Sequence, residues 1–151
     1  MVTFAAGNTP DNCFGAWYLW RRWAKEENGV DIDSAAFVDH WMGLASRGSF
    51  VQAIGWDGIE PVAMTSGFLL THPITGELSM YGDNTYIRPD YRKAGLMHDL
   101  LEFAVQTSRF IGVDDMLAPV TAGDRATAAF LEKVYADKGF ELSGLTMTRR
   151  T

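Results

Sequence analysis

Cysteine and histidine are scarce in this chain, and it has no long hydrophobic run. Its 151 residues include one cysteine, Cys13, and three histidines. A lone thiol cannot form an internal disulfide, and these scattered side chains lack the spacing of metal ligands, so we expect a cytoplasmic protein with no metal site. No stretch approaches the roughly 18 apolar residues of a membrane span, and the N-terminus lacks the pattern of an export signal. We therefore expect no membrane partner.

Positive charge is in deficit. Thirteen Lys and Arg stand against nineteen Asp and Glu, which gives a formal net charge of -6. This balance argues against broad binding to a phosphate backbone, so no nucleic-acid partner is expected, and it mildly favours a cationic ligand. The 47% hydrophobic and 21% charged residues are typical of a globular protein. At this length we predict one domain over residues 1–151.

The first part of the chain has the spacing of two helices. Residues 12–26 contain only one glycine as a break, and large aromatic residues recur at every third position, namely Phe14, Trp17, Trp20 and Trp23. A second helix is predicted to run to Ala45, with Asp33 or Ser34 as its N-cap.

The pattern then becomes that of an antiparallel meander. Residues 50–56 are rich in strand formers, Asp57-Gly58 predicts a two-residue hairpin turn, and residues 61–70 form the returning strand. A second turn at residues 72–76 leads to a third strand over residues 78–87.

The remainder alternates between helix and strand. We predict a helix over residues 97–111, a buried strand over 116–120, a helix over 126–138 and a final strand over 140–149 with a bend at Ser143-Gly144. The order ααβββαβαββ predicts an α/β (α+β) fold in which helices cover a mixed sheet with a β-α-β crossover.

The segment from Tyr86 to Met97 joins the third strand to a helix and suits an anion. Amides in the first turn of a helix have no partner within the helix, and Gly95 lets the backbone approach a ligand without a Cβ. Arg92 and Lys93 add positive charge where a phosphate would sit. A plain capped turn with solvated cations is the alternative explanation.

This segment resembles the diphosphate loop of the GNAT superfamily of N-acetyltransferases, whose pattern is Gln/Arg-x-x-Gly-x-Gly/Ala. Arg92-x-x-Gly95 fits that pattern, and Met97 departs from it by standing where the family prefers Gly or Ala. Two flanking stretches are also similar to the family, Ile87-x-Pro89-x-Tyr91-Arg92 and Tyr135-x-x-Lys138-Gly139-Phe140. The resemblance covers roughly residues 50–149. It implies a mostly antiparallel mixed sheet of six to seven strands flanked by about four helices.

The resemblance also implies acetyl-CoA as the cosubstrate. Its diphosphate would lie on the loop, and its pantetheine arm would pair with the strand edge near Tyr86 and Ile87, provided that this strand and the strand at 116–120 splay apart. Developing negative charge on the thioester oxygen would face a backbone amide near Ile87. The implied cofactor-binding residues are Tyr86, Ile87, Arg92, Lys93, Ala94, Gly95, Leu96 and Met97.

Direct transfer to an amine needs an acid for the thiolate and a base for the amine. Tyr135 precedes Gly139 as the family's tyrosine does, so the resemblance makes it the candidate acid, although a tyrosine packed in the core would have the same sequence. Asp83 lies in a polar run inside a predicted central strand and is the candidate base, acting through water, unless it is merely exposed at a bend. Glu77 is a weaker candidate base.

The resemblance implies a primary amine of a small molecule or protein as acceptor, lying between the first helices and the hairpins. The residues that could line its site, or simply form the core, are Trp17, Trp20, Trp23, Phe37 and Trp41. Two further hypotheses stay open. One is a catalytically inactive fold of this type that serves as an interaction or assembly module, with a possible homodimer through the first helix. The other is transfer of a longer acyl group.

Overall fold

The computed structural model describes residues 1–92, 95–118 and 125–141. Its elements are, in chain order, β1 (Val2–Ala6), α1 (Pro10–Asn28), α2 (Ser34–Ser46), β2 (Phe50–Asp57), β3 (Glu60–Thr71), β4 (Leu78–Ile87), a 3-10 turn (Pro89–Tyr91), α3 (Leu96–Phe110), β5 (Asp115–Leu117) and α4 (Arg125–Asp137). The chain divides into two compact units, Met1–Pro119 and Val120–Thr151. The single domain expected over residues 1–151 stays a prediction.

The described sheet has five strands in the order β1-β2-β3-β4-β5. Strands β1 to β4 pair antiparallel, and β5 pairs parallel with β4 after the crossover through α3. The predicted meander and crossover are thereby confirmed. Six to seven strands are not confirmed, because five are found in the described residues. Of the predicted final strand, Phe140 and Glu141 are not in a strand and residues 142–149 lie outside the described ranges.

Three strand predictions need correction. Strand β1 was missed, because the N-terminus was considered only as a targeting signal, although its extended residues pair with β2. The first hairpin loop is Gly58-Ile59 rather than Asp57-Gly58, since Asp57 already pairs with Glu60 and Gly58 takes the positive φ of 60° that the turn requires. Strand β5 is Asp115–Leu117, shorter and earlier than the predicted strand over 116–120.

Helix α1 places small residues, rather than its aromatic residues, closest to the sheet. Its buried residues are Asn12, Gly15, Ala16, Leu19 and Ala24, whereas Phe14 is 52% exposed. The reason is close approach to the sheet: a Cβ on Gly15 would lie 2.8 Å from the Trp56 ring. Small residues therefore face the strands, and Trp20 and Trp23 pack around the edge of the core.

Helix α2 begins where the sequence predicted, because Asp33 is its N-cap and Oδ1 accepts a hydrogen bond from Ala36 N at 2.7 Å. A buried polar chain holds both N-terminal helices on β2. Trp41 Nε1 donates to Gln52 Oε1 at 3.2 Å, and Gln52 Nε2 donates to Asn12 O at 3.2 Å. This satisfied network fixes the helices that lie over one face of the sheet.

Helix α3 covers the opposite face and contacts β1, β2 and β3. Its buried side chains lie along one stripe at helical spacing, Met97, Leu100, Leu101, Ala104 and Ser108. Among the described helices, none has the length and apolar character needed to cross a membrane.

Candidate active site

The outer edge of β4 opens midway along the strand. Strand β5 pairs with β4 only at Ser79, Met80 and Tyr81. From residue 82 to residue 87, β4 pairs with β3 on one side, and no described strand flanks it on the other. Backbone groups at an edge without a neighbouring strand can pair with an extended ligand. The predicted splaying of this strand from the strand over residues 116–120 stays a prediction, because residues 119–124 lie outside the described ranges.

A β-bulge lies in β4 just after its last residue paired with β5. Ser66 pairs with Asn84 and Gly67 pairs with Gly82, so Asp83 is the extra residue in β4. A bulge bends its strand and re-aims the side chain that it carries. This explains why polar residues stand in the middle of a sheet strand: the position is irregular and Asp83 is exposed.

The surroundings of Asp83 favour its neutral form. Desolvation by neighbouring protein atoms raises the pKa of its carboxyl, although the side chain still reaches solvent, while the charge of His40 and the Ser66 hydroxyl act in the opposite direction. Ser66 Oγ is buried and is not within hydrogen-bond geometry of any described group. A carboxylate with a raised pKa is a better base than an ordinary one.

Beyond β4, the N-terminus of α3 has no capping side chain. Gly95 is the N-cap, with φ 109°, and the first bond of the helix runs from Asp99 N to Gly95 O at 2.9 Å. A Cβ on Gly95 would meet no described atom within 4 Å. The amides of residues 96–98 therefore have no acceptor within the helix. A helix N-terminus with such free amides is the arrangement that binds an anion. Lys93 and Ala94 lie outside the described residues.

The methionine that departs from the family pattern turns into the protein. The Met97 residue is only 8% exposed and belongs to the buried stripe of α3. Its bulk is accommodated between helix and sheet, and the amide of residue 97 stays at the helix N-terminus. Leu96, half-buried, packs against the core around Val62 and Leu100.

Arg92 makes three contacts within the protein. Its Nη2 forms an ion pair with Glu26 Oε1, its Nε donates to Ile87 O at 2.8 Å, and its guanidinium carbon lies 5.6 Å from the centroid of the Tyr86 ring. The sequence analysis assigned its charge to a phosphate, and the structure instead pairs that charge with Glu26. Binding of a phosphate by this side chain stays a prediction.

Glu26 was not found by the sequence analysis. Its Oε2 accepts a hydrogen bond from the hydroxyl of Tyr86 at 2.7 Å, and that tyrosine is 4% exposed. Burial, followed by this bond to a carboxylate, raises the pKa of Tyr86 to about 12. Glu26 is separated by 60 residues from Tyr86 and by 66 from Arg92, so no local motif connects them.

The segment between β4 and the loop is held by a second set of carboxylates. Arg88 pairs with Glu60 at 2.9 Å and with Asp90 at 2.6 Å. The Tyr91 hydroxyl donates to Asp57 Oδ2 at 2.8 Å, and this bond is the main reason that the pKa of Asp57 is lowered. Residues 88–92 are therefore fixed on the strands before the chain reaches Gly95.

Tyr135, the candidate acid, lies on α4 in the second compact unit. Its ring packs edge to face on Phe140 with a centroid distance of 5.2 Å, and its carbonyl accepts from Phe140 N at 3.1 Å. The signature Tyr-x-x-x-Gly-Phe thus describes a helix end, where Gly139 has φ 84°. The catalytic role of the hydroxyl stays a prediction.

The aromatic residues suggested as acceptor walls are mostly core. Trp41 is 3% exposed, and Trp20, Trp23 and Phe37 pack against the same cluster. Trp17 is half-buried, and its Nε1 is buried without a hydrogen-bond partner among the described residues.

The described residues form a mixed sheet in which β4 extends beyond its pairing with β5, and β4 is followed by a helix whose N-cap is glycine. The sequence model of the acetyltransferase (GNAT) family matches residues 15–135. The chain therefore belongs to this family, which uses acetyl-CoA, as the sequence resemblance implied.

Solved structures share the fold over the whole chain. An aminoglycoside acetyltransferase from an uncultured soil metagenomic sample is 14% identical, with a TM-score of 0.76 and coverage of 100% of this chain and 99% of that one. A predicted acetyltransferase with acetyl-CoA from Clostridium acetobutylicum is 15% identical, with a TM-score of 0.73 and coverage of 99% and 96%. The ribosomal-protein-alanine N-acetyltransferase of Brucella melitensis biovar Abortus 2308 is 13% identical, with a TM-score of 0.74 and coverage of 100% and 99%. Comparison with curated proteins gives no match.

Proposed function

We propose that this chain is an N-acetyltransferase that moves the acetyl group of acetyl-CoA directly to a primary amine of a small molecule or a protein. The observation that supports the proposal is the end of the β4–β5 pairing at Tyr81, followed by Gly95 as the N-cap of α3. One end of this arrangement suits an extended amide-bearing arm, and the other suits a diphosphate.

The described residues fit acetyl-CoA at both ends. Arg88 N donates to Val62 O, so in this antiparallel pair the backbone groups of Tyr86 face Met64 and those of Ile87 face the open edge. Ile87 O already accepts a bond from Arg92 Nε, so the Ile87 amide, and not the backbone of Tyr86, is the proposed partner of the pantetheine arm. The amides of Gly95, Leu96 and Met97 are the proposed diphosphate ligands. The Met97 side chain is buried in the protein, so it does not block a diphosphate from reaching them. When bound, acetyl-CoA supplies an activated acyl group.

Two proton transfers complete the reaction. As the carbon–nitrogen bond forms, Asp83 accepts the amine proton through a water molecule, and the raised pKa of its carboxyl supports this role. As the carbon–sulfur bond breaks, Tyr135 donates its hydroxyl proton to the departing thiolate; the support for this role is its place in the family signature. A cationic acceptor loses its ammonium proton to water before the attack, and afterwards Asp83 releases its proton to water and Tyr135 regains one from water. The net products are the amide, the CoA thiol and one proton.

The acceptor is proposed to be a cationic amine that approaches β4 from the side of α1 and α2. Asp83 and the net charge of -6 favour a positively charged molecule. Among the structural neighbours, two kinds of acceptor are named, aminoglycosides and a ribosomal protein alanine. We propose a cytoplasmic location, which the single cysteine supports.

The test is a screen of primary amines, from aminoglycosides and polyamines to peptides with a free N-terminus, with release of CoA thiol as the readout. Mass spectrometry of each reactive amine checks that one acetyl group has been added. Thiol release that depends on an amine and exceeds the hydrolysis seen without amine is the expected result. A protein that binds acetyl-CoA but acetylates no amine in the screen would contradict the proposed reaction.

A further inference from the structure

Glu26 connects three parts of the proposed cosubstrate site. It lies in the last turns of α1 (Pro10–Asn28), and its carboxylate meets the side chain of Tyr86 on β4 with one oxygen and that of Arg92 before the loop with the other. Its side chain is 30% exposed, and Tyr86 is buried.

The Arg92 side chain is held at three points, and Glu26 provides one of them. The ion pair, the bond from Nε to Ile87 O and the position of the guanidinium over the Tyr86 ring direct the side chain back onto the end of β4. A guanidinium held on several sides loses its rotational freedom, and the backbone of residue 92 is fixed with it.

A fixed residue 92 restricts the position of the anion site. Only residues 93 and 94 separate Arg92 from the N-cap Gly95, and each residue of the chain spans at most about 3.6 Å. An anchored Arg92 therefore limits the positions that the amides at the start of α3 can adopt, and fewer positions mean a smaller loss of entropy when a diphosphate binds.

From this geometry we propose that Glu26 is a positioning residue for the diphosphate site. Its carboxylate holds Arg92 on the end of β4 and thereby restricts the positions of the amides of Gly95, Leu96 and Met97. The inference rests on the proposed function, because it concerns the same cosubstrate. It assigns Arg92 to the support of the loop, with its charge matched inside the protein.

The test compares Glu26→Gln with Glu27→Gln. Glutamine at position 26 keeps a hydrogen-bond acceptor for Tyr86 and removes the charge that holds Arg92, and position 27 receives the same chemical change on an exposed neighbour. We expect Glu26→Gln to raise the Kd for CoA and the KM for acetyl-CoA roughly 5-fold, a change that matches the free energy contributed by a partly exposed ion pair. The kcat and the KM for the amine should stay within about twofold, as should every constant of Glu27→Gln.

A double-mutant cycle with Arg92→Gln separates support from direct contact. If Arg92 acts through Glu26, the double variant binds CoA no more weakly than either single variant, since all three lose the same contact. Additive losses would overturn the proposal, because they would mean that Arg92 contacts the diphosphate itself. Arg92 is 46% exposed, so its variant tests the contact even if Glu26→Gln folds poorly.

The remaining outcomes are distinct. Tighter CoA binding by Glu26→Gln would show that Glu26 competes with the diphosphate for Arg92, and unchanged binding would show no positioning role; either result overturns the inference alone. Failure of the wild-type chain to bind CoA would overturn the proposed function and the role of Glu26 together.

Discussion

Replacing Gly95 by alanine tests the anion site at the start of α3. Gly95 has φ 109°, a conformation in which a side chain is strained, so Gly95→Ala should lower the free energy of unfolding by about 1–3 kcal/mol. The new Cβ would meet no atom of the described residues within 4 Å, so the methyl group would occupy space beside the helix N-terminus, where the diphosphate is proposed to lie.

The expected loss of affinity follows from the contacts that this methyl group would block. A hydrogen bond to a charged group contributes about 1.5–3 kcal/mol. Losing one such bond from an amide to a phosphate oxygen corresponds to roughly 10- to 100-fold weaker binding of CoA. Isothermal titration of wild-type and variant protein with CoA measures this change.

Gly112 provides the matched control at the other end of the same helix. It has φ 84°, and a Cβ there also meets nothing within 4 Å, so Gly112→Ala should carry a similar strain. Denaturant unfolding should show comparable losses of stability for the two variants, with weaker CoA binding only in Gly95→Ala. Equal affinities in the two variants would refute the assignment of the anion site.

Three other predictions concern the proton transfers and the core. Asp83→Asn should abolish most amine-dependent turnover. It should also raise the Tm at neutral pH, because the pKa of Asp83 is raised in the folded chain and its ionisation therefore destabilises the fold as pH rises. This difference in Tm should vanish at pH values below the ordinary pKa range of a carboxyl, where the side chain is protonated in both states. Tyr135→Phe should lower kcat about 10²- to 10⁴-fold with little change in KM for acetyl-CoA; its ring still packs on Phe140, so an unchanged kcat would exclude the acid role. Gln52→Leu should lower the free energy of unfolding by about 1–3 kcal/mol, as measured by urea denaturation, because buried Trp41 Nε1 is left without its acceptor, whereas Asn12 O is also an acceptor within α1.

Local patterns predicted much of the fold. The third strand was predicted with the bounds that it has, Leu78–Ile87, because a turn precedes it and a proline follows it. Helix α2 was predicted from its cap, Asp33, and the parallel crossover from the alternation of elements. Each of these depends on residues that are neighbours in the chain.

What the sequence analysis missed depends on tertiary contacts. The period-three aromatic residues of α1 include Trp20 and Trp23, which pack against the core as expected, but their spacing does not identify Gly15 as the closest approach of the helix to the sheet. The polar run around Asp83 pointed to an irregularity, but the register of β3 was needed to identify a bulge. Glu26 lies 60 residues before Tyr86 and 66 residues before Arg92, so no local sequence motif predicts that they are in contact.

Titration of the wild-type chain with acetyl-CoA by isothermal calorimetry is the most direct test of the central claim, that the open edge of β4 and the N-terminus of α3 together bind a thioester cosubstrate. We predict saturable binding at a single site, with competition by CoA and weaker binding of acetylpantetheine, which lacks the diphosphate. No heat of binding at millimolar acetyl-CoA, or equal affinity for acetylpantetheine, would contradict the account.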